Sequence, residues 1–225
     1  MIHYHGTPLT PRQELLNLSG KHFCVSYADP RDADLCLHMA QSVMWDNGAY
    51  THHRQGHDPD WDGYYKWVES RLAHPHWAVV PDVIEGTADE NIGLAKKWPH
   101  RRDCSGVVWH LHEPIEHIGL LLDLGFAKVC FGSSGQYWQV GSPQWERRVD
   151  EAFNWLAKNG SLPWIHMMRG LSLCGDRWPF ASADSVNVAR NYKDQKVCPE
   201  RMARRIDSVQ NPIHWTPKPQ TMDLF

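Results

Sequence analysis

Carboxylates stand where apolar runs end. Val43-Met44-Trp45 runs into Asp46-Asn47-Gly48, Trp77-Ala78-Val79-Val80-Pro81 into Asp82, and Phe180-Ala181-Ser182-Ala183 into Asp184-Ser185. Short buried strands that each close on an aspartate gather acid groups along one rim of a sheet or barrel. In α/β folds that rim, at the carboxyl ends of the strands, is where chemistry is done. Carboxylates sharing a pocket repel: a buried one holds its proton and can donate it, while a better-solvated one stays ionised as nucleophile or base. Asp46, Asp82 and Asp184 are therefore the candidate catalytic residues, with Gly or small neighbours beside Asp46 and Asp184 leaving room for a ligand. Asp29 also follows a strand pattern, and is read instead as a helix cap.

The same rim carries Asn47, Gly48, Tyr50, His110, His112, Glu113, Ser133, Ser134, Gly135, His166, Arg169, Ser185 and Asn187 as candidate binding residues. Phe131-Gly132-Ser133-Ser134-Gly135 is a small-residue loop whose backbone N–H groups can hold a phosphate or the edge of a planar base. Histidines two apart on a strand share a face and can chelate one ion, so His3 and His5, His110 and His112, His166 and Asp184 also suggest a metal site. Against it, the sixth strand ends without a histidine, the fourth lacks a bridging carboxylate or lysine, and His3 starts its strand, at the wrong end for the rim. No metal or other cofactor is expected.

Eight strands can be marked, at 2–5, 23–27, 43–45, 77–81, 107–110, 128–131, 164–168 and 180–183. Helical patterns fill most gaps. Residues 60–73 set Trp61, Tyr64, Tyr65, Val68 and Leu72 on one face, after an Asp58-Pro59 start. Thr87-Ala88-Asp89-Glu90 reads as a capping box opening a helix to about residue 98, and a helix over 114–124 stops at Gly125. Ser142-Pro143 opens a helix with a Trp145, Val149, Ala152, Phe153, Leu156 stripe, ended by Asn159-Gly160. Weaker helices fall at 11–18 and 31–41, and the gap after Met168 has room for a single helical turn. Strand–helix alternation with strands too apolar to have a wet face predicts parallel β structure inside helices. The expected fold is α/β: a compact (β/α)8 TIM-like barrel over about residues 1–190, with a C-terminal helix and Pro-rich tail (Pro212 to Pro219) in 191–225, forming one domain. An open doubly wound sheet is the competing architecture.

Composition narrows the rest. The 225 residues are 42% hydrophobic and 22% charged, which is ordinary for a globular chain and argues against disorder. No apolar run approaches the roughly 20 residues of a membrane span, and residues 1–16 lack a signal-peptide core, so a cytoplasmic protein is expected. The six cysteines lack any C-x-x-C pair and are read as free thiols. A net charge of −3 excludes a chain basic throughout but allows a local patch. Arg190, Lys193, Lys196, Arg201, Arg204 and Arg205 make such a patch, and contact with a nucleic-acid backbone competes there with a merely solvated helix face. Of the twelve tryptophans most must be packing, while some on loops can stack on bases or sugars.

The order Asp46-Asn47-Gly48-Ala49-Tyr50, Val80-Pro81-Asp82, Gly132-Ser133-Ser134-Gly135, Arg169-Gly170-Leu171, Ser182-Ala183-Asp184-Ser185 resembles a reduced tRNA-guanine transglycosylase barrel. It is closer still to small phage- and prophage-type relatives of the DNA deazaguanine transglycosylases and to anti-phage DNA glycosylases that excise hypermodified bases. The likeness spans about residues 5–191. It implies proton transfer by Asp46, base reading by Asp82 and a nucleophilic Asp184 at the sugar C1′, with the Gly132–Gly135 loop beside the base. Two departures stand out: the family's Asp-Ser-Gly-Gly element is Asp46-Asn47-Gly48-Ala49 here, and its zinc-binding cysteine and histidine set is missing. The second turns the expected partner from tRNA to DNA, with a flipped-out or single-stranded base. The implied activity is cleavage of an N-glycosidic bond of a modified base, by hydrolytic release in preference to base exchange, with Tyr50, Tyr137 and Trp138 as stacking candidates. A metal-dependent amidohydrolase acting on a small molecule and a non-catalytic nucleic-acid-binding barrel are the rival classes.

Overall fold

A computed structural model describes residues 1–160 and 162–217. Eight strands, β1 (Ile2–Gly6), β2 (His22–Ser26), β3 (Ser42–Asp46), β4 (Trp77–Val79), β5 (Ser105–His110), β6 (Lys128–Gly132), β7 (Trp164–Met167) and β8 (Ser182–Ser185), close in sequence order into one all-parallel barrel. The expected (β/α)8 architecture is therefore the observed one, and the open sheet is excluded. Around it lie α1 (Gln13–Leu16), α2 (Ala33–Met39), α3 (Ala49–Gln55), α4 (Trp61–Glu69), α5 (Ala88–Lys97), α6 (His117–Asp123) and α7 (Pro143–Asn159), then α8 (Asn187–Asn191) and α9 (Pro199–Asp207).

Strand alternation divides the core in two. Outward residues such as Phe23, Val25, Trp45, Val107, Trp109 and Phe131 pack with helix residues including Val68, Ile118, Leu121, Val149 and Phe153. Inward residues Tyr4, Met44, Trp77, Val79, Val108 and Cys130 fill the barrel. Each large apolar side chain removed from water contributes about 1.5–3 kcal/mol, so the barrel is a packed core and not a pore. Tyr4, Trp77 and His166 meet edge to face across the interior, with centroids 5.3–6.0 Å apart. Below them, at the amino ends of the strands, Lys128 Nζ lies 5.6 Å from the Trp77 ring and 5.3 Å from that of Trp164.

Local signals explain most boundaries. Thr87 and Glu90 form the reciprocal capping box of α5, Ser142 caps α7 with Pro143 in its first turn, and Gly125, at φ +87°, follows the C-cap residue of α6, Leu124. A short 3-10 turn (Leu171–Leu173) follows β7, as that gap allows. For α4 the cap is Asp60, whose side chain accepts from Gly63 N–H, and Asp58-Pro59 precedes the helix. Asp29 caps nothing: both its oxygens accept from Arg31, at 2.7 Å each.

Strand β8 begins two residues later than the apolar pattern suggests. Its inward positions are Ser182 and Asp184, so hydrophobicity hides it. Helices α3 and α8 were not anticipated, since each is short and buries a single residue, Ala49 or Val188. The C-terminal helix α9 packs beside β1, where Asp207 bonds His5 Nε2 at 2.9 Å and Lys21 Nζ at 2.6 Å. Of the Pro-rich tail, Trp215 donates to Asn154 Oδ1 at 2.9 Å and packs on Phe153, so the described part does wrap α7; residues 218 and 219 lie outside the described residues.

Candidate active site

Asp46 is the last residue of β3 and points inward at the barrel mouth. Gly48, at φ +78°, turns the chain back so that its N–H donates to Asp46 Oδ2 at 3.1 Å, and an added Cβ there would lie 3.0 Å from Ala28 N. Burial pushes the Asp46 carboxyl up to about 6; a hydrogen bond from Ser26 opposes this, and the charges of Asp184 and Asp82 add to it. Asp46 and Asp184 occupy inward positions at the carboxyl ends of β3 and β8, and Asp82 follows β4, so the three expected carboxylates stand at the same end of the barrel.

Asn47 ties two strands together. Its amide nitrogen donates to Val80 O at 2.9 Å and to Asp82 Oδ1 at 2.8 Å, while its oxygen accepts from Ala49 N–H at 2.8 Å and so starts α3. The other Asp82 oxygen, Oδ2, lies 2.9 Å from His110 Nε2. Both residues are buried. The opposite ring nitrogen, His110 Nδ1, has no hydrogen-bond partner among the described residues and sits against Gly132, where a Cβ would come within 2.7 Å of it. Asn47, Asp82 and His110 thus form a relay across β3, β4 and β5.

A second relay holds Asp184. Trp164 Nε1 donates to Ser182 Oγ at 2.8 Å, and Ser182 Oγ lies 2.8 Å from His166 Nδ1. Indole can only donate, so the serine hydroxyl hydrogen is free to go to Nδ1, which sets the His166 proton on Nε2. Nε2 lies 3.2 Å from Asp184 Oδ1. Asp184 is more open than Asp82: its side chain is 22% exposed against 6%.

The mouth is roofed. Arg169 follows β7 and Tyr50 follows β3, on opposite sides of the barrel, yet the guanidinium sits 5.3 Å from the Tyr50 ring centroid. Arg169 adopts φ +66°, rare for a side-chain-bearing residue, and also donates to Ser133 O at 2.8 Å. Tyr50 in the first turn of α3, and Val83, Trp138 and Val186 in the connections after β4, β6 and β8, are four of the exposed large apolar residues and lie at this end; Trp138 is 65% exposed. An aromatic and apolar rim above acidic groups suits a planar, partly polar ligand.

Other sequence candidates fall in different places. Ser133 and Ser134 are buried; their hydroxyls bond Trp145 Nε1 at 2.9 Å and His112 Nδ1 at 2.7 Å, so this loop is braced internally. Gly135 is exposed and starts a 3-10 turn (Gly135–Tyr137). His112 also reaches Gly86 O at 3.2 Å and stacks on His110. Glu113 accepts from Asn91 at 2.7 Å under the β4–α5 loop. Ser185 Oγ accepts from Asn187 N–H and so serves the start of α8.

His3 and His5 face outward beneath α8 and α9, away from the mouth. Among the described residues, no three histidine, cysteine or carboxylate ligand atoms at the mouth lie within 4.8 Å of one another. Arg190, Lys193, Lys196, Arg201, Arg204 and Arg205 are exposed along α8, α9 and the segment between; Arg204 pairs with Glu200 at 2.6 Å, and Arg205 borders a separate cavity of about 190 Å³ with His3. Sequence reasoning missed Ser26 and Ser182. Each is a polar residue in an inward strand position, Ser26 beside Asp46 and Ser182 two before Asp184 on the same face. Neither family models, curated proteins nor solved structures give a match to this chain.

Proposed function

We propose that this barrel is an enzyme that cleaves the N-glycosidic bond of a modified nucleobase in DNA, releasing the base by hydrolysis. The observation that carries the reading is the unequal surroundings of carboxyls sharing one mouth. Asp46 is pushed up to about 6, largely by burial, while Asp184 is partly exposed and hydrogen-bonded to His166.

Breaking a base–sugar bond develops positive charge at C1′ and negative charge on the base. In the proposed reaction the Asp184 carboxylate attacks C1′, the C1′–N bond breaks, and its electron pair leaves with the base. Asp46 gives the base its proton. Water then attacks C1′, passes a proton to Asp46 and frees Asp184. His166 holds Asp184 in place through the hydrogen bond described above. Asp82 and His110, fixed by Asn47, form the wall that reads the base edge, and Tyr50 and Trp138 offer faces for stacking. Arg169 and the exposed basic residues of α8 and α9 supply charge for the phosphate backbone.

The test is incubation of the full chain with genomic DNAs carrying different modified bases, reading released base by mass spectrometry and abasic sites by alkaline cleavage. Base release that disappears in Asp184→Asn is the expected result. Incorporation of a free base into DNA without abasic sites would instead indicate exchange, and inactivity on every DNA together with turnover of a free small molecule would overturn the reading.

A further inference from the structure

At the end of the barrel opposite the mouth, two chain segments meet that the proposed reaction does not use. His74 lies just before β4, and Asp103 and Cys104 lie just before β5, its hydrogen-bonded neighbour. Ala78 N–H donates to Cys104 O at 3.0 Å, which fixes the two segments side by side. His74 Nε2 lies 3.5 Å from Asp103 Oδ2, and the ligand atoms of His74, Asp103 and Cys104 all fall within 4.8 Å of one another. We propose that these three side chains form a zinc-class metal site that pins the segment entering β4 to the segment entering β5.

Spacing and donor type both support this. A tetrahedral ion bound at about 2.0–2.3 Å sets its ligand atoms roughly 3.3–3.8 Å apart, and the His74–Asp103 separation already lies in that range. One imidazole nitrogen, one carboxylate oxygen and one thiolate suit Zn²⁺ or Co²⁺ better than Mg²⁺ or Ca²⁺, which prefer oxygen alone. The cysteine is fully buried and cannot shift far, whereas the His74 and Asp103 side chains are 60% and 53% exposed and can adjust around an ion. Three protein ligands leave a fourth position to water. On binding, the metal–sulfur bond replaces the S–H bond and the proton passes to solvent.

One group competes. Arg101 forks onto both oxygens of Asp103 and holds its carboxyl well below the usual carboxylate range. That pair is exposed on both sides, so water and salt already weaken it. Metal binding replaces one of its hydrogen bonds, and removing Arg101 should favour the metal.

The test is titration of the metal-stripped, full-length protein with Co²⁺, followed by Zn²⁺. The expected result is a sulfur-to-cobalt charge-transfer band that saturates at one equivalent, is erased by Zn²⁺, and is accompanied by a rise in Tm. His74→Ala, a change at an exposed position, should abolish the band and the Tm rise while leaving the circular dichroism spectrum intact. Cys104→Ser should abolish the band, and Arg101→Ala should hold Co²⁺ more tightly, requiring more of a competing chelator to erase the band. A wild-type protein without the band at excess Co²⁺, or the same band in His74→Ala, would overturn the site. None of these readouts depends on activity at the mouth.

Discussion

His110 Nε2 lies 2.9 Å from Asp82 Oδ2, with both side chains buried and the other Asp82 oxygen held by Asn47 at 2.8 Å. Asp82 is therefore held in place by both neighbours, which suits the base-reading role proposed for it and separates it from the two carboxyls beside it. Asp46 holds a proton more firmly than usual, and Asp184 is partly exposed beside His166. The proposed division of labour follows from these surroundings.

Asp184→Asn should reduce base release below detection and leave the melting temperature within a few degrees of the parent. The isosteric amide keeps a partner for His166 Nε2 but offers no carboxylate to C1′. Single-turnover assays with an excess of enzyme check it, and a rate equal to that of the parent removes Asp184 from the chemistry.

Asp46 links activity and stability to pH. As proton donor it works in the protonated form, so kcat should fall as pH rises through about 6, and Asp46→Asn should cost about 10²–10⁴-fold. Stability follows from the same shift. The folded chain holds this proton up to about 6, against an ordinary value of 3.8, so carrying the charge destabilises the fold increasingly across that window and fully above it. Asp46→Asn should then be more stable than the parent above pH 6 by up to about 3 kcal/mol, less what the Ser26 and Gly48 hydrogen bonds lose. That gain should vanish below about pH 4. Denaturation at several pH values measures it.

Gly132→Ala tests the wall formed by His110. The added methyl would sit 2.7 Å from His110 Nδ1, so the ring must leave Asp82 or the strand must shift. Catalysis should fall sharply. Overpacking a close-fitted site costs roughly 1–3 kcal/mol of stability, which thermal unfolding would read; full activity in this variant would show that the ring is not held for chemistry.

Arg169→Ala should open the roof over Tyr50. Stability should change by about 1 kcal/mol or less, since exposed cation–π pairs are weak. Water reaching Asp46 would lower its pKa, so the alkaline fall in kcat should begin at a lower pH than in the parent. An unmoved pH profile would mean that the Tyr50–Arg169 contact does not shield the acid.

The barrel was legible because its outward positions are apolar and its turns carry clear chemistry: Thr87 with Glu90, Ser142 with Pro143, Gly125. Asp46 and Asp82 were visible for the same reason, since each closes an apolar run. What stayed hidden lies where the barrel interior is polar. Ser182 and Asp184 face inward, so β8 lacked the pattern of a buried strand and its start was placed two residues early. Ser26 and Ser182 act through hydrogen bonds to Asp46 and His166, and no periodicity marks a hydroxyl as a partner. His3 is set apart from the rim by its place at the start of β1, but that odd positions on β1 face outward under α8 and α9, taking His5 with it, was not marked. The Ser133 and Ser134 hydroxyls are held by Trp145 and His112, partners that no local pattern announces.

Lys128 wedged between Trp77 and Trp164, under the Tyr4–Trp77–His166 cluster, makes the chamber a cul-de-sac. In the proposed reaction a severed base would have no back exit and would depart by the doorway it came through, past the strand attached at Asp184. A replacement base would have to queue at that same doorway, whereas a water molecule can slip by.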